Sequence, residues 1–153
     1  MKSKYRKAVF VIVYRIEKNN IKYLLLKRKL HWKGWEFPKG GIKDKESLLK
    51  TVKREIKEET SQDTFNIKDY KLSGKYKYNK IYPDRPGIIG QTYKLFSAEI
   101  KNKKVKISKK EHSSYVWKDY KNTLKLLTWS NQRKCLKYVN KRLEELYNSP
   151  KRK

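Results

Sequence analysis

A single cysteine, Cys135, among 153 residues excludes an intramolecular disulfide and any zinc site built on thiolates. The two histidines, His31 and His112, do not stand at metal-ligand spacing from each other. One thiol and no disulfide fit a reducing, cytoplasmic compartment. Long apolar runs are missing too. The longest, Ala8-Val9-Phe10-Val11-Ile12-Val13-Tyr14, is stopped by Arg15, far short of the ~20 apolar residues of a membrane span. Lys2, Lys4, Arg6 and Lys7 before it imitate a signal peptide, but no small-residue cleavage site follows, so a buried strand is expected and no membrane partner. With 6 Gly and 4 Pro there is no stretch that reads as a linker. Residues 1–149 are expected to form one domain, acting as a monomer, and 150–153 a frayed basic tail.

Acidic residues are scarce: 15 against 42 basic, a net charge of +27. With 37% charged residues and a mean hydropathy of −1.04, the chain borders on disordered compositions. Its 12 Tyr, 4 Trp and 4 Phe argue for a folded core beneath a charged skin. The charge admits two readings. One is attraction to polyanions such as nucleic acid. The other is a lysine-rich composition, since only 8 of the basic residues are the Arg that planar phosphate recognition favours.

The β-branched run Ala8–Tyr14 predicts a central strand, and Asn19-Asn20 a turn leading to a second strand over Ile21–Leu26. Trp32 to Gly41 reads as an ordered loop. Lys45 to Thr60 predicts a helix with Leu48, Leu49, Val52 and Ile56 on one stripe and Asp44 as cap. Residues 61–87 read as irregular, with Pro83 and Pro86 breaking regular structure. Strands are predicted over Ile88–Ile100, Val105–Ile107 and Tyr115–Trp117, a short helix over Asn122–Leu127, and a last amphipathic helix capped by Ser130, with Cys135 in its buried face. The order implies an α/β sandwich with a mixed sheet.

Glu55, Glu58 and Glu59 fall at i, i+3 and i+4, on one side of the predicted helix. Like charges so placed repel. They are balanced either by Lys53, Arg54 and Lys57 or by a hard divalent cation that takes oxygen ligands. Their setting is specific: Gly40, five residues, Glu46, seven residues, then Arg54-Glu55-Ile56-Lys57-Glu58-Glu59. This resembles the Nudix box, G-x5-E-x7-R-E-U-x-E-E-x-G-U, with U a bulky aliphatic residue. The closing Gly-U is replaced by Ser61-Gln62, which places a serine where a left-handed turn favours glycine, at a cost on the order of 1 kcal/mol. Trp35-Glu36-Phe37-Pro38-Lys39-Gly40-Gly41 and Glu111-His112-Ser113-Ser114-Tyr115-Val116-Trp117 are similar to segments of diadenosine tetraphosphate hydrolases. Ile89-Gly90-Gln91 and Tyr93-Lys94-Leu95-Phe96 resemble RNA pyrophosphohydrolases.

The resemblance implies the α/β/α sandwich of Nudix hydrolases and water attack on a phosphoanhydride, with Mg2+ (or Mn2+) as cofactor. It implies metal ligation by Glu55, Glu58 and Glu59, completed by the Lys39 backbone carbonyl, with Arg54 holding the carboxylates and Glu46 supporting the helix. Glu111 matches a loop glutamate that binds metal or acts as general base; otherwise it is a surface carboxylate beside Lys109 and Lys110. Tyr82 and Trp129 fall where adenine would stack, or else in the core. Lys39, Lys80 and Arg85 are candidates for the phosphate chain. The expected substrate is a dinucleoside polyphosphate, diadenosine tetraphosphate cut asymmetrically to ATP and AMP. The alternatives are an RNA 5′ end trimmed of pyrophosphate, or RNA merely bound by an inactive domain.

Overall fold

The computed structural model describes residues 4–147, so Pro150–Lys153, expected to fray, lies outside the described residues. Ten elements follow in order: β1 Lys4–Glu17, β2 Asn20–Arg28, β3 Gly34–Glu36, β4 Lys39–Gly41, α1 Leu48–Thr60, β5 Phe65–Lys77, β6 Ile88–Glu99, β7 His112–Lys118, α2 Tyr120–Leu126 and α3 Ser130–Tyr147. No helix among the described residues is long and apolar enough to cross a membrane.

β1 is the hub of a mixed sheet. It runs parallel to β6 and antiparallel to β2 and β4. Its alternate side chains enter two cores, as expected of a strand covered on both faces. Phe10, Ile12 and Tyr14 join Tyr23, Leu25, Leu136, Val139 and Leu143 on the α3 side. Val9, Val11 and Val13 join Leu24, Leu26, Val52 and Ile56 on the α1 side. The result is the expected α/β/α arrangement.

β1 and β2 pair only over Tyr14–Glu17 and Asn20–Tyr23, then part. β3 takes up the freed edge of β2, and β4 that of β1. Trp32–Gly41 is therefore not a loop throughout. It contributes two short strands in the split, and carries Lys39 and Gly40 towards α1.

Several local expectations need correction. Ser47, not Asp44, caps α1 by accepting from the Lys50 N–H at 3.2 Å, because the helix begins at Leu48 rather than Lys45. Leu49 is exposed, off the stripe formed by Val52 and Ile56. β5 replaces much of the expected irregular stretch: it is a polar edge strand with left-handed residues Asn66 and Lys71 at its register shifts, so no apolar alternation marks it. Val105–Ile107 is not a strand; the Lys106 N–H donates to Thr60 at the end of α1 instead. Ser130 is the first residue of α3 rather than the residue before it. Cys135 is only partly buried, its Sγ 3.7 Å from the Tyr93 hydroxyl. Ser61 takes the left-handed conformation, φ 64°, and its N–H donates to Lys57 O.

Candidate active site

Arg54 organises the acidic side of α1. Its guanidinium donates to Glu46 at 2.7 and 2.8 Å, to Glu55 at 2.7 Å, to Glu58 at 3.3 Å and to the Gly41 carbonyl at 2.8 Å. These bonds join the α1 acids to the β4 turn. Glu46, held by Arg54, Lys43 and Thr51, is lowered to about 2. Gly40 lies flat against Glu55: a Cβ there would overlap the carboxylate.

Glu55, Glu58, Glu59 and Glu111 line one cavity of about 400 Å³, together with Gly40 and the cations Arg6, Arg28, Lys39, Arg85 and Lys110. Burial, opposed by Arg54 and aided by Glu58 and Glu59, pushes Glu55 up to about 7. Burial likewise raises Glu59. Carboxylates crowded at neutral pH beside a cavity that holds them form an all-oxygen set suited to a hard divalent cation.

His112 lies directly behind this set. Its Nε2 is 2.8 Å from Glu36 and its Nδ1 3.1 Å from Glu59, an ion pair whose geometry falls short of a hydrogen bond. Burial alone would discharge the ring, but Glu36 and Glu59 outweigh it and push His112 up to about 9. A carboxylate oxygen of Glu59, one of Glu111 and a His112 nitrogen lie within 4.8 Å of one another. Because both ring nitrogens already face carboxylates, the histidine serves as a charged support rather than a ligand. Glu36 is fully buried and, despite burial, is held at about 2 by Lys39, His112 and Arg28.

A second cavity, of about 300 Å³, adjoins the first through their shared lining residues Arg28, Lys39 and Arg85. Its walls are aromatic: Trp32, Tyr76, Tyr78, Tyr82 and Trp129. Tyr82 is buried, its ring 4.1 Å from that of His31, whose Nε2 contacts Asp84 at 3.0 Å. Trp129 is 43% exposed and meets Trp32 edge-on at 5.2 Å, so it is outside the core.

The structure thus brings Glu55, Glu58, Glu59, Glu111 and Arg54 together. Lys39 is enclosed, its Nζ 3.3 Å from Glu36 and donating to the Tyr76 hydroxyl at 3.3 Å. Arg85 lines both cavities and donates to Tyr78 at 3.0 Å. Lys80 stays outside: it is exposed, 5.8 Å above the Tyr82 ring, and lines neither cavity. Arg6, Arg28, His31, Glu36 and His112 enter the site without having been singled out as functional from the sequence.

The NUDIX domain family profile matches residues 4–139, and the chain belongs to that family. It is a Nudix pyrophosphohydrolase in the broad sense of that family. No curated protein is similar enough in sequence to match. Among solved structures, the C. elegans Ap4A hydrolase binary complex superposes with a TM-score of 0.75 at 21% identity, over 92% of this chain and 98% of that one. The E. coli dihydroneopterin triphosphate pyrophosphohydrolase gives 0.72 at 19%, over 97% and 100%. The NUDIX domain of Shewanella oneidensis NrtR, complexed with ADP ribose, gives 0.74 at 18%, over 92% and 90%. At these identities the likeness is one of fold.

Proposed function

We propose that the protein hydrolyses diadenosine tetraphosphate asymmetrically to ATP and AMP with Mg2+. The observation that carries this reading is the joining of an aromatic cavity to an acidic one across Arg28, Lys39 and Arg85. A dinucleoside polyphosphate has the matching order: a flat base, a run of phosphates, and a phosphoanhydride to be opened.

In this reading Glu55, Glu58, Glu59, Glu111 and the Lys39 carbonyl hold the cation. Bound there, it neutralises polyphosphate charge and lowers the pKa of water. Arg54 keeps the carboxylates aligned, and His112 keeps Glu59 from shifting. Glu111, on the loop facing α1, takes the proton of the attacking water or shares in cation binding. Arg28 and Arg85 lie between base and metal cavities, where phosphates pass. Tyr82 offers adenine its ring, and Trp129 the opposing face. Water attacks one phosphorus as its bridging P–O bond breaks, and the departing nucleotide leaves on its terminal phosphate oxygen, so no covalent intermediate is required.

A second reading, removal of pyrophosphate from a 5′-triphosphorylated RNA, is favoured by the net charge of +27. Chromatography of the products decides between them. Equal amounts of ATP and AMP from diadenosine tetraphosphate support the first; no turnover of it, with pyrophosphate released from RNA, rejects it.

A further inference from the structure

A third hollow, of about 440 Å³, lies away from the catalytic cavities and is lined by Arg15, Glu17, Lys22, Lys103, Lys104, Tyr115 and Trp117. β2 connects the two regions, with Lys22 at one end and Arg28 at the other. Six residues of strand, at roughly 3.3 Å each, separate them by about 20 Å. Tyr115 and Trp117 pack on the same core as α1, which places the hollow on the α1 side of the sheet.

The hollow is built rather than incidental. The Trp117 indole N–H donates to the Lys103 carbonyl at 2.7 Å, and the Tyr115 hydroxyl accepts from the Val105 N–H at 3.2 Å. Two aromatic side chains thereby fix the backbone that presents Lys103 and Lys104. The Arg15 guanidinium lies over the Trp117 ring, 5.5 Å from its centre. Glu17, the one acid in the lining, is already engaged by Arg15 at 2.8 Å. Among the described residues, Lys22, Lys103 and Lys104 make no direct ion pair with a carboxylate, although Lys103 and Lys22 lie near enough to Glu17 to help hold its pKa down. The segment from 101 to 110 then carries six lysines, 101, 103, 104, 106, 109 and 110, and Lys110 lines the catalytic cavity.

We propose that this hollow binds a single-stranded polynucleotide, with phosphates on Lys22, Lys103 and Lys104 and a base against the Arg15–Trp117 pair. The chemistry separates this ligand from other polyanions. Lysines alone attract any of them, but a ring and a planar guanidinium add a stacking surface that suits unpaired bases. A membrane surface is too flat to enter a hollow, and a peptide of acidic residues alone gains nothing from the ring. The lysine segment gives the strand a path towards the catalytic cavity. The proposal is independent of which phosphoanhydride that cavity opens.

The test is fluorescence anisotropy with a 5′-hydroxyl oligoribonucleotide, which carries no phosphoanhydride, in EDTA across a range of salt. The triple variant Lys22→Ser, Lys103→Ser, Lys104→Ser is compared with a control of equal charge loss on α3, Lys134→Ser, Lys137→Ser, Lys141→Ser. The expected result is a loss of about tenfold or more in affinity for the first and little for the control. The salt slope of the first should fall by about 2, at ~0.7 per single-strand phosphate contact. Turnover of diadenosine tetraphosphate should be unchanged in both. Equal weakening in the two variants, no binding by the native chain at low salt, or equally tight binding of poly-glutamate would each overturn the proposal.

Discussion

His112 and Glu59 form a buried ion pair, Nδ1 to Oε2 at 3.1 Å, that ties the α1 acids to the strand on which the Glu111 loop ends. Removing one member of such a pair strands a charge, typically at about 3–5 kcal/mol. His112→Gln should therefore lower the melting temperature clearly. The pH dependence has a definite sign. With His112 raised to about 9, its contribution is complete below the unfolded pKa of ~6.5 and is lost as pH rises through about 9. Native protein should lose stability over that window, and His112→Gln should lose much less. Melting curves at pH 6, 8 and 10 check this.

Glu58 and Glu59 should respond differently to neutralisation in stability, though alike in turnover. Glu58→Gln and Glu59→Gln should each reduce kcat by about two orders of magnitude or more, the scale of losing a preorganised charge-stabilising group. Glu58 is 54% exposed along its side chain, so its variant should fold normally. Glu59 is buried against His112, so its variant should also melt lower. Near-native turnover of either variant with Mg2+ would remove that residue from the metal set.

If the α1 acids hold the cation as proposed, Glu55 should make its binding pH-dependent. Its pKa of about 7 in the metal-free fold lies above the ordinary carboxylate value, so the folded protein takes up a proton that the unfolded chain does not. Stability without metal should fall as pH rises from about 4.5 to 7 from this group. Mg2+ must displace the proton at pH 6 but not at pH 8. The Mg2+-induced rise in melting temperature should accordingly be larger at pH 8, and Glu55→Gln should flatten the difference.

Much of this was readable in the chain. The seven box residues Gly40, Glu46, Arg54, Glu55, Ile56, Glu58 and Glu59 sit within one continuous unit, the short strand β4, the turn after it and α1, so their spacing alone encodes their grouping. β1 was legible because a strand covered on both faces is apolar throughout. β5 was not, because an edge strand with only Tyr70 buried has no alternation to display. The support behind the acids was hidden for another reason. His112 and Glu36 are 76 residues apart, and only the pairing of β7 with β2 and of β2 with β3 brings them together. Tyr82 reads from the sequence as a ring for adenine or as part of the core, and nothing local names its neighbour: His31, in a left-handed turn with φ 74°, covers its ring from 51 positions away.

That contact changes what a Tyr82 variant should do. Stacking of a base on an aromatic is worth ~1–3 kcal/mol, so Tyr82→Ala should raise KM about ten- to a hundredfold. It should also lower the melting temperature, since the ring is buried against His31. Tyr82→Phe, which keeps the ring, should leave both nearly unchanged. A lowered melting temperature with KM intact in Tyr82→Ala would confine the residue to a packing role.

If the joined aromatic and acidic cavities select a dinucleotide for hydrolysis, kcat/KM should show it when diadenosine tetraphosphate and a 5′-triphosphorylated RNA are compared, with Mg2+, on the same preparation. The expected result is ATP and AMP in equal amounts and a higher kcat/KM for the dinucleotide. Two molecules of ADP, or a higher kcat/KM for the RNA, would contradict it.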